Sequence, residues 1–335
     1  MIEVQKPGLL TNVQDLGRIG YQKYGVIASG VMDLLAHRIA NLLVGNSEIE
    51  ATLELTLLGP ELEFQHDHLI AICGGDLTAK INGQPIKTWR PIIVKKGSVL
   101  SFKGTKTGCR AYLAIAGGLK VDEVMGSQST YLRAGIGGFN GRALQKGDQL
   151  EIKELSITSQ MFFTRLESKV SYEEFYEVNW AVTSKFTNYV NQNSEVRVIP
   201  GKQYHLLDQK SKEALFDQPF KITPQSDRMG YRLEGPPLEL EQPIQLASEA
   251  VSFGTVQLPS DGQPIILLAD RQTTGGYPKV AQVASADLPK VAQLKPGMAV
   301  NFKEVNIEEA QRDFLKREEE LLQLKNSVFN KIKEG

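Results

Sequence analysis

The sequence predicts a mainly β protein made of two related domains in tandem, with a few inserted helices and a helix at the C-terminal end. Three observations carry this. The chain repeats itself in order, its apolar segments are short and often alternate with polar residues, and Gly and Pro punctuate them closely. Frequent short strands with such punctuation favour a barrel or a sandwich over a parallel sheet interleaved with helices.

The repeated motifs keep their order along the chain. Val4 followed by Pro7-Gly8 returns as Val198 followed by Pro200-Gly201, and Arg18-Ile19-Gly20-Tyr21 as Arg228-Met229-Gly230-Tyr231. Gly59-Pro60-Glu61-Leu62 returns as Gly235-Pro236-Pro237-Leu238, and Gly83-Gln84-Pro85-Ile86 letter for letter as Gly262-Gln263-Pro264-Ile265. Gly137-Gly138-Phe139 answers to Gly275-Gly276-Tyr277, and Gly147 with Leu150 to Gly297 with Val300. Six matches in one order argue for duplication, and their uneven offsets for different insertions in the two copies. The expected division is 1–155 and 194–304 for the two domains, 156–193 for an aromatic-rich connector packing on both, and 305–335 for an amphipathic C-terminal helix.

Asn82-Gly83, between two apolar runs, is a two-residue hairpin signal because both positions tolerate positive φ. Lys96-Gly97, Lys146-Gly147 and Pro296-Gly297 each precede an alternating segment, the pattern of a turn feeding a half-buried strand. Helices fall in the insertions. Asp33 can cap one running to Leu43 and closed by Gly45-Asn46, and a second lies near Lys212–Phe216. In the C-terminal stretch Ile307, Phe314, Leu321 and Val328 recur every seven residues, joined by Ala310 and Leu324. Arg317 and Lys331 interrupt the second seam, which favours a helix docked on its own domain over a partner-binding one.

Composition narrows the function. Lys plus Arg is 38 against Asp plus Glu 39, so the basic excess of a nucleic-acid binder is missing, as is the charge that would hold the chain to an acidic membrane. No segment reads as a secretory signal or a membrane span, and Cys73 and Cys109 are too few for a disulfide framework. The expected location is the cytoplasm. There is no G-x-x-x-x-G-K-[ST] phosphate loop, no G-x-G-x-x-G dinucleotide turn and no G-x-S-x-G elbow. His66 and His68 have Asp67 between them and no third ligand nearby, so no metal site is expected.

The dense polar constellation lies in the second copy. Gln225 to Arg232 sets Arg228 and Arg232 beside Asp227 and Gly230; a guanidinium fork suits a carboxylate or phosphate, or an ordinary ion pair in a turn. Ala247-Ser248-Glu249 and the Gly254–Pro259 segment with Gln257 follow. The richest piece is Asp270-Arg271-Gln272-Thr273-Thr274-Gly275-Gly276-Tyr277-Pro278, which leaves an apolar strand with a carboxylate, a guanidinium, an amide, two hydroxyls and two glycines. Such a loop can hold a phosphate or a lactam carbonyl through side-chain donors and close backbone N–H groups. The first copy keeps Gly137-Gly138 without the polar run, so the turn reads as structural and the polar residues as additional.

Thr11 to Arg18, Gly30-Val31-Met32-Asp33, Ser226 to Gly230 and the Asp270–Pro278 run resemble the allophanate hydrolase subunit 2 family, also known as the biotin-dependent carboxyltransferase or Kip antagonist family. The likeness covers residues 1–304. It implies two cyclophilin-like β-barrel domains. It further implies, for stand-alone members, the C-type component of an ATP-dependent 5-oxoprolinase that opens 5-oxoproline to L-glutamate. The partners implied are a B-type subunit related to allophanate hydrolase subunit 1 and an A-type lactam-utilisation subunit. The B-type partner is also a sensor-histidine-kinase inhibitor, so a non-catalytic antagonist connected with sporulation control is a second expectation. Fused relatives form the carboxyltransferase part of urea carboxylase, but this chain has no Met-Lys-Met biotinyl-lysine motif, so carboxyl transfer would need other chains. Carried onto this sequence, the resemblance makes ATP the co-substrate, with Mg²⁺ as its counter-ion. It casts Asp270, Arg271, Glu249 and Arg228 as catalytic residues: the arginines stabilise anionic charge, and Asp270 or Glu249 serves as an acid–base or metal-orienting group. Gln272, Thr273, Thr274, Gly275, Gly276, Tyr277, Ser248 and Gln257 are then the lactam-binding set.

Overall fold

The structure, a computed structural model, describes residues 1–170, 173–190 and 195–334. Tyr172 of the expected connector and the expected boundary at 193–194 lie outside the described residues. The chain forms two compact units. The first gathers residues 1–17, 33–191 and 319–335, and the second residues 18–32 and 192–318. Thus 18–32 goes with the second unit and 319–335 with the first, where a contiguous division was expected.

In the first unit the strands are β1 (Ile2–Lys6), β2 (Leu10–Gln14), β3 (Thr52–Thr56), β4 (Glu61–Phe64), β5 (His68–Asp76), β6 (Ala79–Ile81), β7 (Gln84–Pro85), β8 (Pro91–Val94), β9 (Val99–Phe102), β10 (Thr107–Ile115), β11 (Gln149–Leu150) and β12 (Phe175–Glu177). They form two six-stranded sheets, ordered β11-β1-β4-β9-β6-β7 and β12-β8-β5-β10-β3-β2. One apolar core takes residues from both, among them Val4, Phe64 and Leu100 of the first and Leu53, Ile70 and Leu113 of the second. The Asn82-Gly83 hairpin forms as expected: Ile81 pairs with Gln84, and both turn residues take positive φ, 48° and 81°. Gly97 and Gly147 turn with φ of 82° and 88° ahead of β9 and β11.

Helix α1 (Leu34–Leu43) is capped by Asp33, whose side chain accepts from Ala36 N, and Gly45 follows its C-terminal end at φ 74°. Two further helices, α2 (Ile157–Glu167) and α3 (Ser184–Thr187), come from the connector, as does β12. Because β12 extends the second sheet alongside β8 and Phe162, Phe186 and Tyr189 are buried, the connector is an integral part of the first unit.

The second unit is a closed barrel in the order β13 (Glu195–Pro200), β20 (Lys279–Val283), β17 (Thr255–Gln257), β18 (Ile265–Leu267), β15 (Gly230–Glu234), β14 (Phe220–Ile222) and β21 (Ala299–Glu304). The short strands β16 (Glu249–Ala250) and β19 (Thr274–Gly275) pair beside it. Helices α4 (Gln209–Asp217) and α5 (Leu288–Gln293) complete the unit. The chain is mainly β throughout.

One sequence match of the repeat is a shared packing device. A Cβ on Gly59 would lie 2.7 Å from the Phe102 ring, and one on Gly235 2.6 Å from the Phe220 ring, so each Gly-Pro step lets a core phenylalanine press on the backbone. Two other matches part company. Arg228 leads into β15 while Arg18 to Tyr21 form no strand, and Gly137-Gly138 are left-handed whereas Gly275-Gly276 are not.

Helix α6 runs from Ile307 to Glu334. Ala310, Leu321, Val328 and Ile332 are buried, whereas Ile307 is 51% and Phe314 41% exposed, so half of the expected seam faces outward. A straight helix of 3.6 residues per turn drifts against a seven-residue repeat, and the column cannot stay on one face over its whole length. In the second unit Ala310 packs with Ala284 and Val305, and in the first the Phe329 ring lies 6.3 Å from that of Phe162.

Candidate active site

Arg228 and Asp270 meet at the end of the barrel where the chain enters β15 and leaves β18. Backbone pairing across these strands puts Asp270 N on Arg228 O at 2.9 Å. Their side chains follow: Arg228 Nε donates to Asp270 Oδ2 at 3.0 Å, and Nη2 to Asp270 Oδ1 at 3.2 Å and to the Gly30 carbonyl at 2.6 Å. Arg228 is 5% and Asp270 6% exposed. Both carboxylate oxygens are therefore engaged by one guanidinium, and the pair is a buried, two-pronged support for the loop that follows. Asp227 turns back on its own chain, accepting from Met229 N at 2.7 Å.

Arg271, one residue on, differs. Its guanidinium is half-buried, donating to the Leu268 carbonyl at 3.2 Å and the Val251 carbonyl at 3.3 Å and lying 6.0 Å from the Phe253 ring centre. Burial pulls it below the usual arginine value. No acidic side chain neutralises it among the described residues. A guanidinium remains protonated at physiological pH, so Arg271 is a partly desolvated positive charge suited to an anionic group.

The rest of the expected binding set gathers on the β16–β19 pair. Glu249 stands opposite Gly275 and Ala250 opposite Thr274, while Val251 N donates to the Thr273 carbonyl at 3.2 Å. Gln257 is buried beneath: a Cβ on Gly275 would lie 2.5 Å from its Nε2, so the glycine lets that amide lie close against the backbone. A Cβ on Gly276 would reach Ser248 Oγ at 3.5 Å. Gln272 and Thr274 are exposed and Thr273 half-buried. Glu249 is exposed and salt-bridged to Lys202 Nζ at 2.7 Å and Lys279 Nζ at 3.0 Å, and its hydrogen bond to Lys202 leads in holding its carboxyl below the usual range. The structure thus separates the four expected catalytic residues. Asp270 is the counter-ion of Arg228, Glu249 is a surface group paired with two lysines, and Arg271 is a half-buried guanidinium held on backbone carbonyls.

A cleft of about 780 Å³ opens beside the loop, reached by Gly276 and the half-exposed Tyr277 but by none of those four. Its other walls include Leu238, Leu240, Ile244 and Leu258, with Glu239 and Asp261 as charged groups. Neither lysine nor arginine is among the described residues lining it. Among the described residues no group of three or more His, Cys, Asp or Glu could hold a metal ion, and no helix is long and apolar enough to cross a membrane.

Sequence reasoning passed over the first unit's buried polar residues. His37 is fully buried, with Nδ1 2.9 Å from Thr52 Oγ1 and Nε2 3.1 Å from the Glu48 carbonyl, and burial holds it down to about 4. The signal was present in Thr52–Thr56, where polar and apolar residues alternate. Alternation reads as a strand with one wet face, and only the fold reveals that this face is covered.

Comparison with known proteins places this architecture. The chain is 37% identical over 310 residues to the C-type component of 5-oxoprolinase from Escherichia coli, covering 92% of this chain and 93% of that one. It is 36% identical over 331 residues to the same component from Haemophilus influenzae, covering 99% and 100%. Urea amidolyase of Lachancea kluyveri matches at 33% over 320 residues, 92% of this chain but 17% of that much longer one. Among solved structures, the Kluyveromyces lactis urea amidolyase superposes with a TM-score of 0.83 at 32% identity, over 99% of this chain and 20% of that one. The urea carboxylase of the same yeast gives 0.83 at 32%, over 100% and 29%. The carboxyltransferase domain family, subdomain A and B, matches residues 24–304, and with relatives above 30% identity along nearly the whole chain this protein belongs to that family.

Proposed function

We propose that the chain is the C-type component of a 5-oxoprolinase, working with A- and B-type partners on the ATP-driven opening of 5-oxoproline to L-glutamate. Its near-complete coverage of two bacterial 5-oxoprolinase components, against about a fifth of the amidolyase chains, favours this over a carboxyltransferase role. The observation that carries the site is Arg271, a half-buried guanidinium with no acidic neighbour among the described residues, at the head of the Gln272–Tyr277 loop.

A lactam amide is a poor electrophile because its nitrogen lone pair is shared with the carbonyl. Opening it takes one water onto the carbonyl carbon, breaks the C–N bond and puts a proton on the leaving nitrogen. The product carries a carboxylate and an ammonium where the ring amide was. This chain's share is to hold the substrate. Arg271 receives the carboxylate that 5-oxoproline carries beside its ring, and the Thr273, Thr274 and Gly276 groups orient the ring. Arg228 and Asp270 act as positioning residues that keep the loop in place. The cleft beside the loop does not suit a triphosphate, since its charged walls are Glu239 and Asp261. No phosphoryl-transfer step is therefore assigned to this cleft.

The test is glutamate release from 5-oxoproline and ATP by a complex reconstituted from the A-type, B-type and present chains, with and without this chain, and with Arg271→Ala. Loss of turnover on omission is expected, together with a tenfold to hundredfold rise in KM for Arg271→Ala, roughly the 1.5–3 kcal/mol of a charged hydrogen bond. Unchanged kinetics in the variant would remove Arg271 from the site. No turnover alongside a stable complex with the B-type partner would assign the antagonist role instead.

A further inference from the structure

Helix α6 carries a second apolar column besides the one that docks it. Leu315, Leu322 and Phe329 stand seven residues apart and are 60%, 60% and 38% exposed. Phe314, beside the first of them, is 41% exposed. Over two heptads such a column drifts only about 40° around the axis, so the three side chains share one face. Leu322 and Phe329 each follow a buried residue, Leu321 and Val328, which sets the outward column about 100° around the helix from the docked one. Scattered single leucines on a surface are ordinary. Here five of the eighteen large hydrophobic side chains exposed among the described residues lie on one helix of 28 residues, which makes a patch.

The docked side is fixed by more than packing. In the second unit Asp313 pairs with Arg197, and Arg317 donates to the Ala286 carbonyl. In the first unit Lys185 Nζ lies 2.8 Å from Glu320 Oε1, and Lys325 Nζ 3.5 Å from Glu48 Oε1. The helix thus holds its outward column in place before anything meets it, which lowers the ordering cost of association. Charge indicates what meets it. Residues 307–320 hold six acidic against three basic residues, whereas 321–334 hold Lys325, Lys331 and Lys333 against Glu334. The first half of the helix is therefore negative and the second positive. Two such helices set side by side oppose like charges when parallel and unlike charges when antiparallel, and their macrodipoles act in the same sense.

We propose that this face pairs with the same face of a second copy of the chain, the two α6 helices running antiparallel. Leu322 lies midway between Leu315 and Phe329. A two-fold axis at Leu322 therefore sets Leu322 against Leu322 and Leu315 against Phe329, and leaves none of the three uncovered. The same axis brings the level of Glu318 and Glu319 on one helix to that of Lys325 on the other, which adds attraction where a parallel pair would add repulsion. At about 42 Å the helix is long enough for a contact of several turns on each side of that axis. Self-pairing of this kind is independent of the Arg271 reading, since neither the Gln272–Tyr277 loop nor its supports take part.

The test is sedimentation of the full chain over about 1–100 μM, where mass action moves a dimer of ordinary strength from one chain towards two. A rising mass is expected for the parent. Leu322→Glu should weaken the dimer by at least about tenfold, because it sets two carboxylates against each other across the axis. Leu315→Glu should weaken it in the same way if the first variant fails to fold. Orientation is read by disulfide formation under a mild oxidant, with which the buried Cys73 and Cys109 do not compete. A mixture of Leu315→Cys and Phe329→Cys chains should cross-link to each other, and each alone should cross-link at least about tenfold less. A parent that stays monomeric, both glutamate variants dimerising as the parent does, or Leu315→Cys linking chiefly to itself would overturn the proposal. A monomeric parent whose complex with a B-type partner is lost in Leu322→Glu would overturn it too, and give the face to that partner.

Discussion

At the scale of single residues, the two neighbouring arginine positions show how burial and pairing divide labour. Arg228 is engaged by Asp270 and the Gly30 carbonyl, whereas the partners of Arg271 among the described residues are backbone carbonyls and a ring. Removing Arg228 leaves the Asp270 carboxylate buried without its counter-charge. Arg228→Ala should therefore cost about 3–5 kcal/mol of stability, read as a lowered midpoint in urea unfolding. A midpoint unchanged from the parent would mean that the pair is not a support. A carboxylate held by both prongs of a guanidinium is poorly placed to move protons, which argues against the expected acid–base role of Asp270.

At the scale of elements, turns were the most predictable features because their chemistry is local. Asn82-Gly83 closes a two-residue hairpin, and an added Cβ on Gly83 meets nothing within 4 Å, so its conformation alone resists substitution. Gly83→Ala should destabilise by about 1–2 kcal/mol, the strain of an L-residue at its φ of 81°. A denaturation midpoint equal to the parent's would show that the turn relaxes. The cap of α1 was equally legible, since Asp33 needs only its own next three residues to act as one. The exposed half of the α6 seam was not, because a heptad pattern records spacing and leaves open how the helix lies on its neighbours.

At the scale of the whole molecule, charge is nearly balanced, 38 basic against 39 acidic residues, so general self-repulsion contributes little near neutral pH. Individual buried groups then set the pH response. His37 is neutral in its buried site, with its value held near 4 against 6.5 for the free side chain. Between these values the unfolded chain binds the extra proton, so stability is complete above pH 6.5, falls as pH drops towards 4, and loses nothing more to this group below that. About 2 kcal/mol should be gone by about pH 5. Urea unfolding at about pH 7 and about pH 5 checks this, and His37→Gln should reduce the difference, the remainder including His68, which burial also holds near 4. An unaltered slope in that variant would show that other groups govern it.

By itself the sequence determined the β-rich class, the Asn82-Gly83 turn, the Asp33 cap and the family, because each depends on neighbours a few residues apart or on a long specific run such as Asp270–Pro278. The tertiary structure decided what each polar residue does. Arg228 and Asp270 lie 42 residues apart and become one ion pair only when β15 and β18 pair. Thr52 and Glu54 alternate with apolar residues as in any half-exposed strand, and their burial follows from what covers the sheet. Burial and partnership depend on residues distant in the chain, and a one-dimensional pattern carries no measure of either.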